Sequence, residues 1–156
     1  MSANEDLIRH FYTSFQNKNV PAMQDCYAGN ATFNDTVFTN LNASEVRSMW
    51  AMLVKNGKDL RVEFKNIRED ETGTHAEWDA WYTFSATGNK VHNQIKASFV
   101  IEKGKIVKHT DEFSFYKWAR QALGFAGLLL GWTNFLKNKI STTAKKNLKT
   151  FMLKNG

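Results

Sequence analysis

Apolar and polar positions follow two different periods along this chain, and the change from one to the other divides it. Asn4-Glu5-Asp6 reads as a helix start, a capping side chain followed by acids in the first turn. Leu7, Phe11 and Ser14-Phe15 then recur at helical spacing, and Lys18-Asn19 ends the helix. Pro21 suits the first turn of a short second helix carrying Met23, Cys26 and Tyr27, which Gly29-Asn30 breaks. A strand follows in Ala31-Thr32-Phe33-Asn34-Asp35-Thr36-Val37-Phe38. A third helix begins near Asn42 or Ser44, places Val46, Met49, Trp50 and Leu53 on one face, and closes at Gly57.

Beyond Gly57 the period becomes two. Leu60, Val62 and Phe64 alternate with Arg61, Glu63 and Lys65. Asp70-Glu71-Thr72-Gly73 is a turn. The strand from His75 to Ser85 puts Trp78, Ala80, Tyr82 and Phe84 on one face. After the turn Ala86-Thr87-Gly88-Asn89, Val91, Asn93, Ile95, Ala97, Phe99 and Ile101 alternate along another strand. Glu102-Lys103-Gly104-Lys105 turns into a last strand ending near Phe113. Three helices followed by a four-stranded antiparallel meander predict an α+β fold. Its long strands must curl around the helices to bury them, leaving a cone-like cavity of the kind that holds ligands.

The C-terminal segment differs in character. Phe115 to Leu123 reads as a helix with Trp118 and Ala119 inward. Gly124, Gly127 and Gly131 interrupt a very apolar run, and Ser141-Thr142 can cap a final basic helix. Two units are therefore expected, a pocket domain over 1–113 and a helical basic extension over 114–156 packed on it.

Charge sharpens that division. The net charge is +6, but from Phe113 onward there are eight Lys or Arg and no acid, while the rest carries thirteen basic and fifteen acidic residues. A basic patch spread over the whole domain is absent, so no nucleic-acid partner is expected. The lone cysteine, Cys26, excludes a disulfide framework and a cysteine zinc site. The opening residues lack a signal-peptide pattern, and the run Leu123 to Trp132 is too short to span a bilayer. A cytoplasmic location is expected.

Candidate chemistry centres on Asp35, a lone carboxylate among apolar residues. Phe33, Asp35 and Val37 share one strand face, as do Val107, His109, Asp111 and Phe113 on the last strand. Ionisable groups on an apolar face are costly to bury unless paired, which makes these three either pocket chemistry or one satisfied hydrogen-bond cluster. His92 falls on the opposite face, His10 on a helix surface, and His75 at a solvated strand start. No recognised metal-ligand spacing, Gly-rich phosphate loop or G-x-S-x-G elbow is present, so neither metal nor cofactor is expected. Trp50 and Trp78 are expected to line the cavity, and Trp81 to sit on the outer sheet face and favour a homodimer.

The Phe11-Tyr12 helix with Phe15-Gln16-Asn17-Lys18-Asn19, the Ala31–Asp35 strand, Trp78 to Phe84, and Gly104-Lys105-Ile106-Val107 together resemble the nuclear transport factor 2-like superfamily, which includes ketosteroid isomerases and SnoaL-like polyketide cyclases. The resemblance covers roughly residues 5 to 113. It implies a cone-shaped curved sheet around the N-terminal helices. It also places Asp35 where the isomerases keep their proton-shuttling base. The rest of the isomerase site does not carry over. Its oxyanion-hole tyrosine falls at Phe11, or one residue away at Tyr12, which should face elsewhere, and its protonated acid falls near Ala97. The SnoaL-like cyclases are similar in setting a pocket acid beside histidine, here His109 and Asp111. The implied catalytic residues are Asp35, His109 and Asp111. The implied lining is Phe11, Tyr27, Phe33, Phe38, Trp50, Trp78, Tyr82, Phe84, Ala97 and Phe113, around a small apolar molecule. Two functions fit: an acid/base isomerase, cyclase or hydratase, or a non-catalytic binding or interaction module. Leu128, Leu129, Leu130, Trp132 and Phe135 are expected to cover the core or a dimer partner; membrane contact by the segment is the less favoured alternative.

Overall fold

The computed structural model describes residues 1–155. Helix α1 (Ala3–Gln16) is capped by Ser2 rather than Asn4: the Ser2 hydroxyl accepts the Glu5 N–H at 3.1 Å while the Glu5 carboxylate accepts the Ser2 N–H at 2.9 Å. Helix α2 (Val20–Asp25) starts at Asn19 with Pro21 in its first turn. Strands β1 (Tyr27–Asn34) and β2 (Leu41–Asn42) lead into α3 (Ala43–Asn56), which has its own reciprocal cap between Asn42 and Glu45. Then come β3 (Arg61–Asp70), β4 (Gly73–Phe84), β5 (Asn89–Glu102) and β6 (Lys105–Glu112), followed by α4 (Phe115–Leu123), α5 (Phe125–Leu130) and α6 (Asn134–Asn155).

The architecture is α+β, a curved six-stranded sheet in the order β2-β1-β6-β5-β4-β3. The predicted meander from β3 to β6 is antiparallel throughout. β1 adds a feature that periodicity does not reveal: it lies parallel to β6, with Phe33 beside His109. It also runs through Gly29 and Asn30, absorbing them at a register shift, instead of starting after them.

A second irregularity re-aims β6. The register shifts between Val100 and Ile101, so Ile106 and His109, three apart, are both fully buried, and Val107 leaves the inner phase expected of it. The inner face meets α1 and α3 in an aromatic core. The Phe11 ring lies 5.1–6.3 Å from Tyr12, Tyr27, Trp50, Phe99 and His109, mostly edge to face. Tyr12 is also wholly buried, its ring stacked on Phe64 at 5.6 Å.

Trp118 and Ala119 of α4 turn inward as expected and form a second cluster with Val91 and Phe115. Helix α6 begins at Asn134, not at Ser141. The Ser141 hydroxyl instead bonds the Val37 carbonyl from within the helix. Leu148 is buried, and Ala144, Phe151 and Met152 pack against the main core. The spacing Leu136, Ile140, Ala144, Leu148 and Phe151 makes that face. The apolar run ahead of it does not cover the core of its own chain: Leu128, Leu129, Leu130, Trp132 and Phe135 are all exposed. Among the described residues no helix is long and apolar enough to cross a membrane.

Candidate functional site

A cavity of about 350 Å³ lies between α3, the concave faces of β4 and β5, the loop after β1, and helices α4 and α6. Its walls are mostly apolar, and two carboxylates, Asp35 and Asp111, face it. Of the side chains expected to line it, Phe38, Trp50, Trp78, Tyr82, Phe84 and Phe113 do. Phe11, Tyr27, Phe33 and Ala97 do not. They are buried behind the lining, where the aromatic core closes the narrow end of the cone.

Asp35 lies one residue past the end of β1, so its position is set by a turn, not by strand alternation. Its Oδ1 accepts the backbone N–H groups of Val37 at 2.7 Å and Phe38 at 2.5 Å, and its own N–H donates to the Phe38 carbonyl at 2.7 Å. Among the described residues no protein donor reaches Oδ2. Removal from water raises its pKa from 3.8 to about 7; the two backbone donors oppose that rise, and the neighbouring Asp111 adds to it.

Asp111 is held from beneath. His109 Nε2 stands 2.8 Å from Asp111 Oδ1, and His109 Nδ1 stands 2.8 Å from the Tyr27 hydroxyl, which also accepts the Trp50 indole N–H at 2.8 Å. One proton arrangement satisfies every member. Trp50 donates to Tyr27, Tyr27 donates to Nδ1, and Nε2–H donates to Asp111. With a proton on Nδ1, the buried Tyr27 proton would lose its acceptor. Burial holds the Tyr27 hydroxyl well above its ordinary pKa, which keeps that proton in place. His109 has no exposed surface. The three predicted residues thus divide: Asp35 and Asp111 face the cavity, and His109 stands behind Asp111 as its support.

A third polar group on the wall is Tyr82. Its hydroxyl accepts the Trp118 indole N–H at 2.7 Å, and among the described residues no acceptor takes its own proton. Trp118 and the α6 residues Ile140, Ala144 and Asn147 complete the cavity and were not anticipated. The helical spacing of Ile140 and Ala144 was the available signal. Among the described residues no group of His, Cys, Asp and Glu side chains could hold a metal ion.

The outer face of the sheet is polar. Arg61 lies 3.8 Å over the Trp81 ring, whose other neighbour, His92, stacks at 4.5 Å and bonds Asp79 at 2.6 Å. His92 is on that face as expected. An open groove of about 530 Å³ beside it, lined by residues including Lys96, Glu112 and Lys117, carries no comparable buried chemistry.

Comparison with known proteins agrees with this fold. The fold is similar to a nuclear transport factor 2-like protein of unknown function from Burkholderia pseudomallei, with a TM-score of 0.66, 15% identity, and 78% of this chain and 98% of that one covered. A candidate polyketide cyclase from Pseudomonas putida matches with a TM-score of 0.65 at 17% identity, covering 78% and 98%. An epoxide hydrolase of M. tuberculosis matches with a TM-score of 0.61 at 15% identity, covering 86% and 95%. No curated protein matches in sequence. The model of the SnoaL-like domain matches residues 8–109, from α1 through the buried histidine of β6, and the chain belongs to that family.

Proposed function

We propose that the chain binds a small, largely apolar molecule in this cavity and moves a proton on it, with Asp35 as the shuttling group. One observation carries the reading: an anchored carboxyl group, its pKa near 7, faces an apolar cavity beside a second carboxylate. At neutral pH such a group is present in both protonation states, so it can take a proton from carbon or water and return it elsewhere. The turn fixes Oδ1 and leaves Oδ2 to the ligand, which limits the geometry of transfer.

Asp111, oriented by His109, is the second polar contact, and the Tyr82 hydroxyl can donate to a ligand oxygen. Isomerisation, aldol-type cyclisation and water addition all use this set: a base, a hydrogen-bond donor to meet developing negative charge, and exclusion of bulk water, with one water admitted as reactant in the last. The polyketide cyclase and epoxide hydrolase among the structural neighbours support small-molecule chemistry of this kind without naming the substrate.

The test is a thermal-shift screen of apolar metabolites bearing carbonyl or epoxide oxygens, followed by turnover assays with wild type and Asp35→Asn. The amide keeps an oxygen for Val37 and Phe38 but cannot shuttle a proton. Turnover falling by about 10²–10⁴-fold with binding retained supports the proposal. Binding with no turnover by the wild type makes the protein a carrier or interaction module instead.

A further inference from the structure

Helix α5 turns its glycines inward and its large side chains outward. A Cβ on Gly127 would clash with the Ala119 carbonyl oxygen, and one on Gly131 would stand 3.2 Å from both the Ala119 side chain and the Tyr116 ring. α4 and α5 therefore meet at backbone distance, through positions that admit no side chain. Phe125, Leu128, Leu129 and Leu130 of α5, Trp132 of the following turn and Phe135 of α6 are all between 46% and 75% exposed. Clustered within eleven residues, they make an exposed apolar tip of the kind that marks an interaction surface.

Several polar groups at the C-terminal end of α5 are already paired. The Trp132 indole N–H donates to the Leu129 carbonyl at 2.9 Å, and the Thr133 hydroxyl donates to the Leu130 carbonyl at 2.6 Å. Gly131 N–H reaches the Gly127 carbonyl at 2.8 Å, and Leu128 N–H reaches Gly124 at 3.0 Å. The end of α5 can leave water with few donors or acceptors stranded, the condition a lipid environment imposes. The segment that carries it has charge of one sign: eight Lys or Arg and no acid between Phe113 and the C-terminus. Lys139 lies one turn beyond Phe135 on the same face of α6.

We infer that this tip is a membrane-interface anchor: its apolar side chains enter the headgroup–acyl boundary of an anionic bilayer, and the α6 lysines face the lipid phosphates. A second copy fits the same tip poorly, because a two-fold contact would bring two acid-free basic segments together. An anionic lipid surface satisfies both halves of the patch at once, since apolar insertion and lysine attraction add. The anchor is independent of whether the cavity is catalytic.

The test uses the full-length chain with vesicles of phosphatidylcholine alone and of phosphatidylcholine with phosphatidylserine. Sedimentation with vesicles is expected only when phosphatidylserine is present, weakening as salt shortens the screening length from about 10 Å toward 3 Å. Tryptophan emission should shift to the blue and be quenched by brominated acyl chains, because the other tryptophans are far less exposed than Trp132. Trp132→Ser/Phe135→Ser should lower the partition coefficient at least about tenfold. Lys139→Glu/Lys146→Glu should remove the preference for phosphatidylserine. Both pairs are exposed, so an unchanged melting temperature verifies the fold. Absence of binding to either vesicle overturns the inference, as does binding that the serine pair leaves unaltered. So does a self-associated form that the serine pair dissolves without any vesicle binding; the tip would then be a contact between copies.

Discussion

The Tyr27 hydroxyl and Nδ1 of His109 stand 2.8 Å apart, and this bond decides which nitrogen of the imidazole carries the proton toward Asp111. Tyr27→Phe removes an acceptor from Trp50 and a donor from His109 inside the core. Each buried group left unpaired costs about 1–3 kcal/mol. The variant should melt several degrees below wild type, at ~2–4 °C per kcal/mol for a chain of this size. Calorimetry measures it, and an unchanged melting temperature would disprove the coupling.

Asp35 makes stability depend on pH in an unusual direction. Its pKa is raised from 3.8 to about 7 by burial, so the native state binds its proton more tightly than the unfolded chain does. The contribution is complete below the unfolded pKa and is lost as pH rises to about 7. Urea unfolding of Asp35→Asn should lack this decline. At pH ~8 the variant should be the more stable protein, and at pH ~4 the advantage should vanish. Parallel pH profiles for the two proteins would show that Asp35 titrates normally.

Tyr12 and Trp78 each bury a polar atom that has no partner among the described residues. For Tyr12 the cure is an isostere: Tyr12→Phe keeps the ring contacts with Phe64, Trp78 and Phe99 and deletes the stranded hydroxyl. Stability should rise by about 1 kcal/mol, read as a melting temperature ~2–4 °C higher. A loss of stability would mean that the hydroxyl has found a buried water.

A homodimer through the outer sheet face is the expected oligomer, with Trp81 near its centre. Arg61 and His92 already flank that ring within one chain, so the contact would be polar around a flat aromatic platform. Sedimentation velocity at micromolar concentration should give a dimer, and Trp81→Ala should shift it to monomer. A wild-type monomer would remove the proposal.

Local chemistry made the elements legible. The alternation Val91, Asn93, Ile95, Ala97, Phe99 runs inward along β5 because a pleated strand has no other way to divide apolar from polar side chains. Helix α4 spans Phe115–Leu123, between a capping serine and a glycine with positive φ. The family resemblance also lay in residues close in sequence, and it put Asp35 and Asp111 near one cavity before any tertiary contact was known.

Tertiary structure decided the rest, because periodicity distinguishes inside from outside but not depth. Phe11 and Phe33 point inward as Trp50 does, yet they lie behind the cavity wall, since the sheet's curvature sets how far each reaches from the cone's axis. A register shift buried both Ile106 and His109 where strict alternation forbids it. The parallel pairing of β1 with β6 joined residues more than seventy positions apart, and with it came the bond from Tyr27 that no local pattern encodes. The fate of the apolar run was decided in the same way. Its hydrophobicity predicted cover of the core or of a partner; the close approach of Gly127 and Gly131 to α4 used the inward side of α5 and turned its leucines away from the core.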